Sequence, residues 1–209
     1  MVKKLLLIGG GGHCHSVLDT IINMKVYDEI GIVDSIESSY LGVSVIGNDD
    51  DITSLIQSGW TDAFITVGSV GDSKTRRRLY EMVKNDGFIV PTIIDPTAII
   101  GNGVEINEGV FVGKRAVINT GSTIGSCAII NTSAIIEHDC EIGPFSHISP
   151  GTTLCGQVKV GEDSHVGAGS IIKQMVEIGN KALIGAGSVV INNIPDDVKA
   201  YGNPCKVVD

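Results

Sequence analysis

Residues 118–148 read INTGSTIGSCAIINTSAIIEHDCEIGPFSHI, and every sixth position of the stretch is aliphatic: Ile118, Ile124, Ile130, Ile136, Ile142 and Ile148. The phase continues both ways without an insertion, back through Val112, Ile106 and Ile100 to Ile94 and forward through Leu154, Val160, Val166, Ile172, Ile178 and Ile184 to Val190. Four places after each aliphatic, from Ala98 to Ser188, stands Ala, Val, Ser, Thr or Cys. The residue directly after the aliphatic is Gly eight times and Asn three times, types that tolerate a positive φ at a corner. One large and one small inward position per hexad describes a parallel β-helix of three faces, with eighteen residues to a coil. The pattern ends at Ile194-Pro195, so residues 195–209 are expected to form a cap or a folded-back extension.

Residues 1–93 have a different period. Lys4 to Ile8 reads as a strand, a glycine loop follows, and His15 to Met24 has helical spacing. Glu29 to Val33 and Ala63 to Val67 read as further strands, and Asp72 or Ser73 is placed to cap a helix running to about Asn85. Phe88 to Ile93 reads as a last strand leading into the repeat. Strand, loop, helix and strand in this order predict parallel pairing and a Rossmann-like α/β domain over 1–93, ahead of a β-helix over 94–194.

Composition agrees with this division. Of 209 residues 27 are Gly, eleven before Ile94 and sixteen after, and only 4% are aromatic, as a narrow prism interior requires. A net charge of -9, with Arg76-Arg77-Arg78 as the longest basic run, argues against a nucleic-acid partner. Five cysteines without a C-x-x-C pair point to reduced thiols in the cytoplasm rather than a disulfide framework or zinc ribbon. No apolar run approaches the roughly 20 residues of a membrane span.

Gly9-Gly10-Gly11-Gly12-His13 follows the first strand and opens the first helix, where backbone N–H groups and the helix dipole can hold a phosphate. The dinucleotide pattern G-x-G-x-x-G would need its third glycine where Cys14 or His15 stands, which speaks against NAD. Asp34, at the end of the second strand, is placed to meet a ribose or base.

In the β-helix, His147 and His165 are eighteen residues apart and so share a phase on successive coils, stacked about 4.8 Å apart. By the same arithmetic Gly156 lies one coil from His138, which sets a backbone amide beside an imidazole. Acyl transfer to an amine or hydroxyl needs that pair: a base for the proton and a donor for the oxyanion. No close His pair exists to bind a metal. Cys140 falls on the small inward phase, where a thiol without a basic neighbour is inert as an acyl carrier.

The glycine loop ending in Gly-His, joined without a linker to hexads carrying Asn131-Thr132, Glu137-His138-Asp139, Ser146-His147 and a Gly202-Asn-Pro-Cys-Lys206 tail, resembles the sugar acetyltransferases of the sialic-acid O-acetyltransferase (NeuD) type. Within them it is most similar to bacterial enzymes that N-acetylate the 4-amino group of a nucleotide-linked 4-amino-4,6-dideoxyhexose. The resemblance implies a left-handed β-helix and a homotrimer with active sites between subunits. It implies His138 as general base held by Asp139, the Gly156 N–H at the oxyanion, and acetyl-CoA as cosubstrate, with no metal. His147 would contact the thioester end, Gly167, Gly185 and Ala186 the pantetheine, and Pro204 and Lys206 the adenine end. Gly11, Gly12, His13, Asp34 and Asn131 would hold the nucleotide sugar. Two positions depart from the family: many relatives have Gly-Ala-Ser-Gly-His in the loop, and His where Asp95 stands. The residues themselves leave open an O-acetyltransferase acting on sialic acid or a related sugar hydroxyl, and a non-catalytic β-helical assembly protein.

Overall fold

A computed structural model describes residues 2–36 and 38–208. The chain divides into two compact units, one running to Gly68 and resuming over Lys74–Ile93, the other comprising Ser69–Ser73 and the chain from Ile94.

The first unit contains β1 (Lys4–Ile8), α1 (Gly12–Met24), β2 (Glu29–Val33), β3 (Ser39–Tyr40), β4 (Val43–Gly47), α2 (Ile52–Gln57), β5 (Asp62–Ile65) and α3 (Lys74–Asn85). The sheet order is β3-β4-β2-β1-β5, with parallel pairing everywhere except the β3–β4 hairpin. β1 lies inside this sheet, and Leu5 to Ile8 are at most 1% exposed. Its unbroken apolar run is what a parallel strand buried on both faces demands. Cys14, Val17, Leu18 and Ile21 form the buried stripe of α1.

One local expectation is corrected, and one hairpin lies outside what the sequence pattern marks. The strand anticipated over Phe88 to Ile93 breaks into a bridge between Asp62 and Ile89 and a two-residue strand, Ile93–Ile94, that opens the histidine-bearing sheet of the β-helix; between them Pro91 has no N–H with which to continue the ladder. The turn of the β3–β4 hairpin places Leu41 and Gly42 at φ 49 and 81, the two-residue geometry that matches strand twist. This hairpin lies in a stretch without the strict alternation that marks strands in sequence. Ser73 directly precedes α3, and its hydroxyl donates to Asp163.

The second unit is a left-handed β-helix of two-residue strands, the first residue facing out and the second in. Its three sheets are named here by what they present outward. The isoleucine face carries Ile99, Val117, Ile135, Thr153, Ile171 and Val189; the glutamate face carries Glu105, Thr123, Glu141, Lys159 and Glu177; the histidine face carries Phe111, Ile129, His147, His165 and Leu183. The inward aliphatics from Val112 to Val190 are all within 3% exposure. The terminal hairpin, Lys199–Gly202 with Cys205–Val208, joins the histidine face beside Leu183–Ile184, so the tail folds back as an extension.

Small polar residues occupy the inward phase because each hydroxyl completes a corner. Ser146 Oγ donates to the Gly161 carbonyl at 2.6 Å and Ser164 Oγ to that of Gly179 at 2.6 Å, while Ser164 Oγ accepts from Ala182 N at 3.0 Å. Asp95, nearly fully buried, accepts the N–H and hydroxyl of Thr97 at 2.9 and 2.7 Å.

The reason given above for the corner glycines is overturned. Positive φ falls two residues later, at Gly103, Gly121 and Gly151 but also at Arg115, Cys127, Ser133, Phe145, Gln157 and Met175. Directly after the aliphatic, glycine instead permits close coil stacking: a Cβ on Gly113 would lie 2.9 Å from Thr132 N, and one on Gly125 2.5 Å from Pro144 N.

Candidate active site

His138 follows the isoleucine-face strand Ile135–Ile136 and stands at the corner that leads to the glutamate face. Its Nδ1 lies 2.8 Å from Asp139 Oδ2. A carboxylate can only accept, so Nδ1 carries the proton, and in the neutral ring Nε2 is the nitrogen with the lone pair. The pair is half exposed, 54% and 55% by side chain. Gly156 adjoins the free nitrogen: a Cβ there would sit 2.5 Å from His138 Nε2 and 2.6 Å from Cε1. The backbone of the two coils is tied together by Gln157 N donating to the His138 carbonyl at 2.9 Å. A ring with one oriented nitrogen, a free lone pair and a side-chain-free backbone beside it has the parts of a general base next to an oxyanion donor. A hollow of about 380 Å³ opens beside it, lined by Asp139, Glu141, Gln157, Lys159, Met175 and Glu177.

His147 has both ring nitrogens engaged. Nδ1 donates to the Ser69 carbonyl at 3.0 Å, and Nε2 accepts from Asn131 Nδ2 at 3.1 Å. The Asn131 amide is turned that way because its Oδ1 accepts from Thr132 N at 2.8 Å. His165 meets His147 edge to face with ring centroids 4.9 Å apart, as the shared phase requires. It lies 3.2 Å from Ser149 Oγ through Nε2, and burial lowers its pKa, which keeps it neutral. Among the described residues no group of three or more His, Cys, Asp or Glu is arranged to hold a metal ion. Sequence reasoning missed Ser69, whose carbonyl belongs to a short segment packed with the β-helix rather than with its chain neighbours.

Gly167, Gly185 and Ala186 follow histidine-face strands and share the corner leading to the isoleucine face. Ala168, Gly169, Ala186 and Gly187 there are exposed, and side chains added at Gly169 or Gly187 would meet nothing within 4 Å. The corner is a ledge of small residues able to accept an extended chain such as pantetheine. Pro204 lies at the turn of the terminal hairpin and Lys206 on its second strand, paired with Tyr201. The His138 corner and this ledge are therefore the two opposite edges of the isoleucine face.

In the α/β unit the glycine loop is shaped by two contacts. Gly9, at φ 106, comes so close to Val67 that a Cβ would lie 2.6 Å from its Cγ2, and Gly10 N donates to Asp34 Oδ2 at 2.6 Å. Asp34 Oδ1 accepts from Ile36 N at 3.0 Å. The Gly10 bond above all, then that of Ile36, holds the Asp34 carboxyl below the usual range against the opposing effect of burial. Side chains at Gly11 and Gly12 would meet nothing within 4 Å, and α1 starts there with no side-chain cap. Open space in front of uncapped helical N–H groups suits an anion. His13 packs its Cβ near Gly68. A hollow of about 500 Å³ adjoins the loop, lined by residues that include Gly9, Asp34, Ser35, Asn48, Thr75 and Arg78.

Residues 4–83 match the PglD N-terminal domain family, and residues 139–174 the bacterial transferase hexapeptide (six repeats) family. PerB from Caulobacter crescentus, solved in complex with CoA and GDP-perosamine, is 35% identical, with 100% of this chain and 99% of that one covered and a TM-score of 0.94. The acetyltransferase domain of PglB from Neisseria gonorrhoeae FA1090, solved with acetyl coenzyme A, is 34% identical over 99% of each chain, with a TM-score of 0.93. WeeI from Acinetobacter baumannii AYE shares the fold at 21% identity and TM-score 0.86 over 99% of this chain and 100% of that one. With its hexad helix, its glycine-loop domain and a likeness of this extent, the chain belongs to the hexapeptide-repeat sugar acetyltransferases of the PglD/NeuD type.

Proposed function

We propose that the protein transfers an acetyl group from acetyl-CoA to the 4-amino group of a nucleotide-linked amino-dideoxy sugar. The observation that carries this reading is the His138–Asp139 pair with its free Nε2 beside Gly156. PerB and PglB, the relatives solved with CoA and GDP-perosamine or with acetyl-CoA, supply the substrate class.

In this reading the neutral sugar amine attacks the acetyl carbonyl carbon while His138 Nε2 takes the amine proton. Asp139 steadies the imidazolium that forms, and the Gly156 N–H donates to the oxyanion. The tetrahedral intermediate collapses, the C–S bond breaks, and CoA leaves as thiolate or, with the proton returned by His138, as thiol. No protein nucleophile is required. The uncapped start of α1 at Gly11, Gly12 and His13 receives the diphosphate, Asp34 meets the nucleoside, and the 167–187 ledge with Lys206 receives CoA. Asn131 orients His147, whose ring forms a wall near the thioester.

Because base and ledge occupy opposite edges of the isoleucine face, a site combining them draws on two chains. Ile99, Ile135 and Ile171 are 63%, 36% and 48% exposed on that face, an apolar ladder suited to a neighbouring copy. A cyclic homotrimer with this face toward its axis sets the His138 corner of one chain beside the ledge of the next. Light scattering should find a trimer that Ile135→Glu dissociates, with loss of activity. Among the described residues no helix is long and apolar enough to cross a membrane, and the five cysteines are free thiols, as in the reducing cytoplasm where we place the enzyme.

The test is acetyl-CoA consumption against UDP-, GDP- and dTDP-linked 4-amino sugars and free sialic acid. Turnover on a 4-amino nucleotide sugar is expected. Turnover on sialic acid alone would replace N- by O-acetylation, and binding of neither acetyl-CoA nor any nucleotide sugar would favour an assembly protein.

A further inference from the structure

We propose that Gly121 is a positioning residue for the catalytic pair, acting on Asp139 and through it on His138. The inference rests on the acetyl-transfer reading above. Gly121 stands one coil before Asp139, eighteen residues earlier, at the same corner phase. The Asp139 backbone is fixed against that coil, its N–H donating to the Thr120 carbonyl at 3.0 Å. The side chain leans over Gly121: a Cβ added there would collide with Asp139 Oδ1 and lie 3.4 Å from Cγ. The second oxygen, Oδ2, receives the His138 Nδ1–H at 2.8 Å. A carboxylate is rigid and planar, so displacing Oδ1 carries Oδ2 away from the ring. Asp139 is half exposed and can swing into water at little cost in stability, while His138 loses the bond that sets its tautomer and orientation.

The backbone does not explain the glycine. Gly121 has φ 74, but nine residues other than glycine hold positive φ in this phase of the β-helix, namely Arg115, Cys127, Ser133, Asp139, Phe145, Gln157, Asp163, Met175 and Lys181. One coil further back in the same column is Gly103, at φ 71, where a Cβ would meet nothing within 4 Å. Gly121 thus differs from Gly103 by the carboxylate that overhangs it. The pair is seated between two positions without side chains, Gly121 on the coil before and Gly156 on the coil after. The first leaves room for the orienting carboxylate and the second for the ring.

Gly103 supplies the matched control. Gly103→Ala and Gly121→Ala introduce the same methyl group at the same backbone geometry, and their melting temperatures should fall by similar amounts. Gly121→Ala should lower kcat about 10-fold or more, as misplacement of a catalytic group does, with the KM for acetyl-CoA unchanged. Gly103→Ala should leave kcat unchanged. In an Asp139→Ala background, adding Gly121→Ala should cost nothing further, because the group through which it acts is gone. Should Gly121→Ala not fold, Gly121→Asn carries the same Cβ on a residue that tolerates left-handed backbone. Equal kcat losses in the two alanine variants, or an undiminished loss in the Asp139→Ala background, would overturn the inference. Wild-type protein inactive on every acceptor would overturn the functional reading itself.

Discussion

In the β-helix a functional side chain is placed by neighbours eighteen residues away on the adjoining coils, whereas in the α/β unit the functional loop is placed by backbone donors converging on one carboxylate. His138 lies over Gly156, and His147 meets His165, because parallel pairing repeats every corner at one-coil spacing. Position along a coil then translates almost directly into position in space. The loop from Gly9 to Gly12 has no such ruler; its shape depends on Val67 and Asp34, which are distant in sequence and lie just past the ends of other strands. Substitutions in the first region should act sharply and on turnover, those in the second more softly and on substrate affinity.

The largest expected effect tests the centre of the first region. His138→Ala removes the base and should lower kcat by roughly 10²-fold or more, with the KM for acetyl-CoA little changed. Unchanged turnover would remove His138 from the mechanism and break the comparison. Gly156→Ala comes next. Its Cβ would enter the space of the His138 ring, 2.5 Å from Nε2, so the ring must move while the coil keeps its backbone bonds. A loss of about 10- to 100-fold in kcat is expected from such misplacement, with circular dichroism unchanged. Activity near wild type would mean that the ring does not lie over Gly156 when the enzyme works.

These positions were legible in the sequence because phase survives translation into structure. The β-helix, its three faces and the neighbouring of His138 with Gly156 all follow from counting in sixes and eighteens. Gly121 was open to the same arithmetic, being eighteen residues before Asp139. What counting could not supply was the rationale of the corner glycines, since it does not distinguish a left-handed residue from one pressed against the next coil. Nor could it find the Ser69 carbonyl that accepts from His147, because no period links residue 69 to residue 147. In the α/β unit the glycine loop was visible as composition, but the bracing of Gly10 and Ile36 by Asp34 was not.

Asp34 offers a softer test of the second region. Asn in its place keeps one acceptor but loses the charge and the second oxygen, so the loop should loosen and the KM for the nucleotide sugar rise about 5- to 10-fold, with kcat less affected. The pH dependence has a definite sign. Asp34 titrates below its unfolded value of about 3.9, so its contribution to stability is complete above that pH and disappears as the pH falls through the lowered native value. At neutral pH the wild type should exceed Asp34→Asn by about 1 kcal/mol, given partial screening by solvent, and acid titration should close that gap. A difference that does not shrink as the pH falls would mean that shape rather than charge braces the loop.

The smallest effect is expected at Cys140, beside the catalytic pair in sequence but inside the prism. Its thiol is fully buried, lies 3.3 Å from the Cys155 carbonyl, and is pushed up to about 11 chiefly by that burial, so almost none is thiolate at neutral pH. Ala116, Ala128 and Ala134 fill the same inward phase, so alanine fits position 140 without disturbing the coil. Cys140→Ala should therefore keep kcat within about twofold while losing roughly 1 kcal/mol of stability to the space left behind. A covalent route through this thiol would instead abolish turnover in the variant and leave an acetylated cysteine in the wild type after a burst with acetyl-CoA alone. The alternation of inward and outward phase that places His138 in solvent and Cys140 in the core, two residues apart, makes the two outcomes easy to separate.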